Sequence, residues 1–303
     1  MPLSTTATLV DAARAAGVGV AAFNVLHLET AEALVTAAER SEAPVILQIS
    51  ENCARYHGSL RPLTLGCHAL AEAATAPVAV HLDHLTDAEL LREGVAAGAG
   101  SAMIDASTLP YEQNVTRTAQ LTRWCHAHGI YVEAELGEIG GKDGAHAPGV
   151  RTDPREADAF VAATGVDALA VAVGSAHAMR ERTAVLDKAL IARLRAALPV
   201  PLVLHGSSGV PDEELVAAID AGMTKINIST HLVSVFTRAI RTTLDARLEL
   251  TDSRAYVAPA REAVAEEAAR LLRLLAKPRA TASATPDPPD PSPERRSSKD
   301  AEA

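Results

Sequence analysis

Short apolar runs alternate with longer amphipathic stretches along most of the chain. The apolar runs predict eight strands, at residues 18–24, 44–49, 78–82, 101–104, 130–135, 168–173, 201–204 and 224–227. The amphipathic stretches predict a helix after each strand, at residues 28–40, 60–74, 87–97, 111–128, from 154 onward, 187–198, 211–221 and 231–247. The strands are continuously apolar, which is typical of parallel strands that are buried on both faces.

Eight strand–helix units predict an α/β fold of the TIM (β/α)8 barrel class. They occupy about 260 residues, close to the length of roughly 250 that is typical of such a barrel. An N-terminal helix at Thr5–Ala16 precedes the units, and an extra C-terminal helix at Pro259–Leu275 follows them. The competing architecture is an open, doubly wound sheet, which usually has fewer units and a GxGxxG turn after strand 1. Here strand 1 ends in Phe23-Asn24-Val25 without a glycine turn, so we favour the barrel.

The composition changes near the end of the chain. Residues 1–277 are predicted to form a single barrel domain, whereas residues 278–303 are dominated by Pro, Ser, Thr, Ala, Asp and Arg. A segment of that composition cannot bury apolar surface, so we predict a disordered tail.

Charge and cysteine content limit the classes of partner. The formal net charge of −10 argues against nucleic acid or an anionic membrane as the main partner, so a phosphate-bearing ligand would need capture by backbone amides or a metal. Cys53, Cys67 and Cys125 form no CxxC pair and are predicted to be inert buried thiols in a reduced cytosol. With no charged leader and no apolar run of about 20 residues, we expect a soluble cytoplasmic protein.

Polar side chains collect at the predicted carboxyl ends of the strands, where the catalytic groups of this fold lie. They are Asn24, Gln48, Ser50, Asp83, His84, Asp105, Glu133, Glu135, His177, His205 and Asn227. The loops of His84, His177 and His205 project over one mouth of the barrel, so three imidazoles can converge on a metal. Three protein ligands with an open fourth position are typical of catalytic zinc. The alternative is that each histidine is hydrogen-bonded separately at the rim.

The stretch His81-Leu82-Asp83-His84 closes an apolar strand and places a carboxylate beside a candidate ligand. Asp83 is a candidate general acid/base, or it orients His84. His81 precedes the strand end and is interpreted as a core histidine or as a support for the site.

Two loops rich in small residues come before helices 7 and 8. Their backbone N–H groups could face an anion at a helix N-terminus, and barrels usually hold phosphate after strands 7 and 8. The alternative is an ordinary Ser/Thr cap on each helix. Asn24 and Ser50 are further candidates for substrate binding. The candidate phosphate-binding residues are Gly206, Ser208, Gly209, Asn227, Ser229 and Thr230.

A long glycine-rich loop, residues 136–153, follows strand 5. Loops of this length often act as lids that carry a catalytic group. A disordered surface loop is the alternative.

These motifs together resemble the class II, metal-dependent fructose-bisphosphate/tagatose-bisphosphate aldolase family, from about Leu3 to Leu275. The motifs are Ala22-Phe23-Asn24, His81-Leu82-Asp83-His84, Met103-Ile104-Asp105-Ala106-Ser107, Glu133-Ala134-Glu135-Leu136-Gly137, Gly174-Ser175-Ala176-His177, Leu204-His205-Gly206-Ser207-Ser208-Gly209 and Lys225-Ile226-Asn227. The resemblance implies a (β/α)8 barrel, a homodimer or homotetramer, Zn²⁺ and often a monovalent cation, Na⁺ or K⁺.

The resemblance also assigns roles to residues. His84, His177 and His205 match zinc ligands, Glu135 matches a glutamate at the metal, and Asp83 matches the acid/base for the C4 hydroxyl. The implied reaction is the reversible cleavage of fructose 1,6-bisphosphate to dihydroxyacetone phosphate and an aldehyde such as glyceraldehyde 3-phosphate, through a zinc-stabilised enediolate. Tagatose bisphosphate or another ketose phosphate is the alternative substrate.

The chain departs from the family pattern at two places. Ala178 and Arg180 stand where many relatives carry Gly and Tyr. In the long loop, Lys142-Asp143 follows the paired glycines, with one acidic residue apparently missing. Asp143 and Glu138 therefore both stay candidates for the base that abstracts the carbon-bound proton.

Three other functions are alternatives to this one. A Schiff-base aldolase needs a buried lysine at a strand end, and only Lys225 lies in a predicted strand. A metal-dependent hydrolase barrel would normally open with His-x-His at strand 1, which is absent. A non-catalytic partner barrel should have lost metal ligands, and all three histidines are present.

Overall fold

Eight parallel strands close into a barrel in chain order, which confirms the predicted fold. The computed structural model describes residues 3–136, 151–176, 179 and 181–276. The strands are β1 (Val20–Asn24), β2 (Val45–Ser50), β3 (Val78–Leu85), β4 (Ser101–Ile104), β5 (Tyr131–Glu135), β6 (Ala168–Ala170), β7 (Leu202–Leu204) and β8 (Met223–Ile228). Pairing of β1 with β8, in a register that sets Val20 opposite Lys225, closes the ring.

Helices surround the barrel and cover its N-terminal end. They are α1 (Thr6–Ala16), α2 (Leu28–Ser41), α3 (Glu51–His57), α4 (Arg61–Ala73), α5 (Ala88–Ala96), α6 (Tyr111–Ala127), α7 (Pro154–Thr164), α8 (Lys188–Ala197), α9 (Asp212–Ala221), α10 (Thr230–Ala246) and α11 (Arg254–Leu275). Leu9 and Val10 of α1 pack against Val20, Ile46 and Ala79 at the barrel floor. No described helix is long and apolar enough to cross a bilayer.

Several element boundaries differ from the prediction, among them those of α3, β6 and α11. Ser50 and Glu51 were predicted to lie in a loop, but Ser50 ends β2 and caps α3, because its Oγ accepts a hydrogen bond from the Cys53 amide at 3.2 Å. Strand β6 pairs over only Ala168–Ala170, shorter than the apolar run indicated. Helix α11 begins at Arg254, five residues before Pro259, with the Arg254 amide bonded to Asp252 Oδ1 at 2.9 Å.

Two predicted features fall outside the described residues. They are the tail at 278–303 and residues 137–150 of the long loop after β5. The three cysteines, in contrast, are described, and each is buried and unpaired as predicted.

Candidate metal centre and active site

The carboxyl ends of the strands enclose a cavity of about 180 Å³. Its walls come from β1, β2, β3 and the loops after β7 and β8, so it brings together most of the predicted site residues that the structure describes. The lining residues are Asn24, Gln48, Ser50, Asp83, His84, Gly206, Ser207, Ser208, Asn227, Ser229 and Thr230.

The end of β3 is irregular, and this irregularity builds the site. In a regular strand, neighbouring side chains point to opposite faces. Here the pairing with β4 shifts register between Leu82 and Leu85, and His84 adopts a left-handed φ of 54°. A bulge re-aims side chains locally, so Asp83 and His84 both line the cavity. A left-handed histidine is uncommon and is the kind of strain that clusters at functional sites.

His84, Glu135 and His205 form a cluster able to bind a metal. One ligand atom from each residue lies within 4.8 Å of the other two. The two imidazole rings are 4.9 Å apart, edge to face, and Glu135 Oε2 lies 3.2 Å from His205 Nδ1. Two imidazole nitrogens and a carboxylate oxygen are ligands that suit Zn²⁺.

A second carboxylate orients each imidazole. His84 Nδ1 lies 2.7 Å from Asp105 Oδ2, and His205 Nε2 lies 2.9 Å from Glu133 Oε1. A carboxylate accepts the N–H of one ring nitrogen and thereby leaves the other nitrogen as the metal ligand. Asp105 and Glu133 were predicted to lie at strand ends, but no role could be predicted for them. The partner of each side chain depends on the register between strands.

The charge of the site also fits a cation. Glu133, Glu135 and His205 are all fully buried. Burial lowers the pKa of His205, but hydrogen bonds to Glu133 and Glu135 outweigh it and raise the pKa to about 9. Burial would raise the pKa of Glu133, yet Lys225 and His205 lower it instead, so Glu133 is ionised. Lys225 compensates the charge of Glu133, which leaves Glu135 as the carboxylate of the possible metal-ligand cluster.

Asp83 is held as a carboxylate at the cavity wall. It is 3% exposed, and its Oδ2 accepts a hydrogen bond from Asn24 Nδ2 at 2.9 Å. Its Oδ1 has no hydrogen-bond partner among the described residues, and His84 Nε2 lies 3.9 Å away. Burial would raise the pKa of Asp83, but the electrostatic influence of the neighbouring His84, His205 and Lys225 lowers it.

The loops after β7 and β8 are joined through Ser208. Gly206 has a left-handed φ of 67°, and a Cβ there would lie 2.5 Å from the Ala176 carbonyl oxygen, so the loop requires glycine. Ser208 Oγ accepts hydrogen bonds from the amides of Ser229 at 3.2 Å and His231 at 3.1 Å. Ser208 therefore caps α10 from the neighbouring loop, whereas Ser229 at the N-cap position makes no side-chain cap hydrogen bond among the described residues.

Some predicted residues lie elsewhere. Gly209 is not among the described residues that line the cavity, and a Cβ on it would meet the Met179 side chain at 2.5 Å. His177, Glu138 and Asp143 lie outside the described residues, as do Ala178 and Arg180.

A buried histidine, His81, and a buried lysine, Lys225, lie deeper in the barrel. His81 is fully buried with Nδ1 at 2.8 Å from Ser101 Oγ, and burial and the charge of Lys225 lower its pKa to about 3, so it is a neutral core histidine. Lys225 is also fully buried and forms an ion pair with Glu133 at 2.9 Å. The Nζ of Lys225 is held by Glu133 and Asn227 inside the barrel, which disfavours the Schiff-base alternative.

Comparisons with known proteins point to one family. The family described as fructose-bisphosphate aldolase class-II matches residues 4–278. A probable fructose-bisphosphate aldolase of Bacillus subtilis (strain 168) is 39% identical over 270 residues, which are 88% of this chain and 95% of the relative. A fructose-bisphosphate aldolase of Geobacillus stearothermophilus is 40% identical over 246 residues, which are 80% of this chain and 86% of the relative.

Solved structures agree with the sequence comparison. The crystal structure of the YdjI aldolase from Escherichia coli K12 superposes with a TM-score of 0.81 at 32% identity, covering 90% of this chain and 97% of that one.

Proposed function

The chain belongs to the class II fructose-bisphosphate aldolase family, and we propose that it reversibly cleaves fructose 1,6-bisphosphate to dihydroxyacetone phosphate and glyceraldehyde 3-phosphate with a bound zinc ion. Membership of this family makes the protein an enzyme, an aldehyde lyase. The observation that carries the proposal is the convergence of ligand atoms from His84, Glu135 and His205, with His84 and Asp83 both lining the cavity.

Zinc would be held by His84 Nε2, His205 Nδ1 and Glu135, with His177 as a further imidazole ligand. Support for His177 comes from the residue before it, because the Ala176 backbone packs against Gly206, the neighbour of His205. The ion, when bound, supplies a Lewis acid that draws electron density from the ketone group of the substrate. A monovalent cation, Na⁺ or K⁺, is proposed on the resemblance alone.

Asp83 is the proposed acid/base at the C4 hydroxyl. In the cleavage direction that hydroxyl loses its proton to Asp83 Oδ1, its oxygen becomes the aldehyde carbonyl, and the C3–C4 bonding electrons stay on C3. Asn24 holds the other oxygen of Asp83 and so keeps Oδ1 towards the cavity. C3 then needs a proton from a second group, for which Asp143 and Glu138 are the proposed candidates.

Phosphate binding is proposed for the loops after β7 and β8. Their small side chains leave room for an anion near the N-terminus of α10, where the helix dipole favours it. Asn24 and Ser50 also line the cavity and would contact the sugar. The proposed phosphate-binding residues are Gly206, Ser208, Gly209, Asn227, Ser229 and Thr230.

Fructose 1,6-bisphosphate is preferred over other ketose phosphates because two relatives carry its name. Tagatose 1,6-bisphosphate, which differs in configuration at C4, is the alternative substrate. We further propose a homodimer or homotetramer in the cytoplasm with sugar phosphates as its small-molecule partners. Light scattering after size exclusion would give the subunit number, and a monomer would contradict this proposal.

The test combines metal analysis with activity. Purified protein is analysed for metal content and assayed with both bisphosphates before chelation, after chelation and after zinc is restored. We expect about one zinc per site and cleavage of the fructose compound that disappears and returns with zinc. Zinc binding without cleavage of either bisphosphate would overturn the substrate assignment, and activity that survives complete chelation would overturn the metal role.

A further inference from the structure

Lys225 lies inside the barrel and is linked both to Asp83 and to the metal-ligand cluster. It is fully buried and lies two residues before Asn227 on β8, so its side chain belongs to the layer beneath the cavity. Its Nζ lies 2.9 Å from Glu133 Oε2, 2.8 Å from Asn227 Oδ1 and 3.4 Å from Gln48 Oε1. An ammonium group has three donors and no acceptor, so Nζ donates to Asn227 and Gln48 and meets Glu133 as an ion pair.

The contact with Gln48 sets the direction of a hydrogen-bond chain. Because Lys225 can only donate, Gln48 must turn its carbonyl oxygen towards Nζ and its amide nitrogen away. Gln48 Nε2 donates to Asn24 Oδ1 at 2.8 Å, and Asn24 Nδ2 donates in turn to Asp83 Oδ2 at 2.9 Å. One cation thus fixes which way two amides face, and the last of them holds the acid/base carboxylate.

The contact with Glu133 fixes the orientation of His205. The ion pair occupies Glu133 Oε2, and Oε1 accepts from His205 Nε2 at 2.9 Å. With Nε2 engaged, His205 turns Nδ1 towards Glu135. A buried carboxylate that lost its cation would be uncompensated, which is strongly unfavourable.

We propose that Lys225 is a positioning residue that sets the orientation of Asp83 through Gln48 and Asn24, and of the metal ligand His205 through Glu133. This inference rests on the proposed function, because it assumes that Asp83 and the metal ligands carry the chemistry. It predicts that the path through Gln48 and Asn24 and the path through Glu133 can be disrupted separately, and that Lys225 is required for both.

The experiment measures zinc affinity by competition with a chelator, kcat and KM for fructose 1,6-bisphosphate, and thermal unfolding. We expect Lys225→Met to weaken zinc binding by about 10–100-fold and to lower kcat by about tenfold or more, with KM little changed. Gln48→Leu disrupts only the path through Gln48 and Asn24 to Asp83. It should therefore lower kcat while zinc affinity stays within about twofold of the wild-type value. Lys188→Met is the control, since Lys188 also pairs with a glutamate, Glu214, but outside the site.

A charge-neutral variant guards against a folding defect. Lys225→Met combined with Glu133→Gln leaves no uncompensated carboxylate and is compared with Glu133→Gln alone. We expect the double variant to fold and to lose a further tenfold or so in kcat. Adding Gln48→Leu to it should lower kcat by no more than about twofold, because residues in one chain of hydrogen bonds are not additive.

Two results would overturn the role of Lys225. One is an equal kcat in Glu133→Gln and in the double variant. The other is a Gln48→Leu change that lowers kcat by as large a factor in the double variant as it does in the wild type. If the wild-type protein cleaves no bisphosphate, the proposed function is wrong, but the zinc affinity of the variants still tests the role of Lys225. In that case a tenfold weaker affinity in Lys225→Met supports the role, and an unchanged affinity overturns it.

Discussion

His84 and Asp105 lie at the ends of neighbouring strands and are joined by a 2.7 Å contact between Nδ1 and Oδ2. The other carboxylate oxygen of Asp105 accepts hydrogen bonds from the hydroxyl of Ser107 at 2.6 Å and from its amide at 3.2 Å. Asp105 is therefore fixed on both oxygens, and it fixes the ring of His84 in turn. The consequence is that Nε2 of His84 is the nitrogen offered to a metal.

Removal of this carboxylate should weaken metal binding without removing a ligand. We expect Asp105→Ala to lower zinc affinity by about 10–100-fold, measured by chelator competition. Asp167→Ala is a matched control, because Asp167 forms the same kind of contact with His126, at 2.9 Å, away from the cavity. Equal zinc affinity in Asp105→Ala and the wild type would show that His84 is oriented by something else.

Asp83 can be tested with an isosteric change. Asp83→Asn keeps the shape of the side chain and removes its ability to take a proton, so we expect kcat to fall by about 10²–10⁴-fold. Zinc content should stay the same, because Asp83 is not in the ligand cluster. Asp87→Asn, a change at the cap of α5, should leave kcat unaltered. An Asp83→Asn variant with wild-type kcat would remove Asp83 from the reaction.

The barrel could be predicted from the sequence because most strands are short, predominantly apolar runs, each followed by a stretch with helical periodicity. Strand β4 lies at Ser101–Ile104, the predicted range. Asp83, His84 and His205 could be placed near one another for the same reason, since parallel strands bring their carboxyl ends to one edge. This part of the site follows from periodicity alone.

Other parts of the site depend on contacts between distant residues. The bulge that turns Asp83 and His84 to one side contains no glycine to signal it. Glu133 contacts His205, 72 positions away, and Lys225 contacts Gln48, 177 positions away. Such pairs follow from the register of the closed barrel, which the local sequence pattern does not encode.

Gly206 should be required for both stability and activity. We expect Gly206→Ala to destabilise the protein by about 1–3 kcal/mol, because the new Cβ is strained by the left-handed φ and meets the Ala176 backbone. Gly165→Ala separates the two causes, since Gly165 has a similar φ of 70° with nothing within 4 Å of a Cβ. Chemical denaturation should give a larger loss for Gly206→Ala, with lower activity. Equal losses would mean that the close approach to Ala176 carries no energy.

A partly buried ion-pair network around Glu267 should make stability depend on acid pH. Glu267 on α11 accepts hydrogen bonds from Arg270 at 2.8 and 2.9 Å and lies 2.7 Å from His231 Nε2. Arg270 also pairs with Asp212 at 2.5 Å, so the network joins α11 to α9 and α10. Burial would raise the pKa of Glu267, but Arg270 and His231 outweigh it and lower the pKa to about 2.

The direction of the pH effect follows from this lowered pKa. The folded pKa of about 2 lies below the ordinary value of 4.5, so the network stabilises the protein fully above pH 4.5, and this contribution is lost as the pH falls towards 2. Because Glu267 is partly exposed, solvent screening limits the contribution to about 1 kcal/mol. The free energy of unfolding, measured by denaturant titration between pH 6 and pH 3, should therefore fall more steeply for the wild type than for Glu267→Gln. A change at the exposed Glu249, to Gln, should keep the wild-type slope. Parallel slopes for wild type and Glu267→Gln would show that Glu267 is not ion-paired in solution.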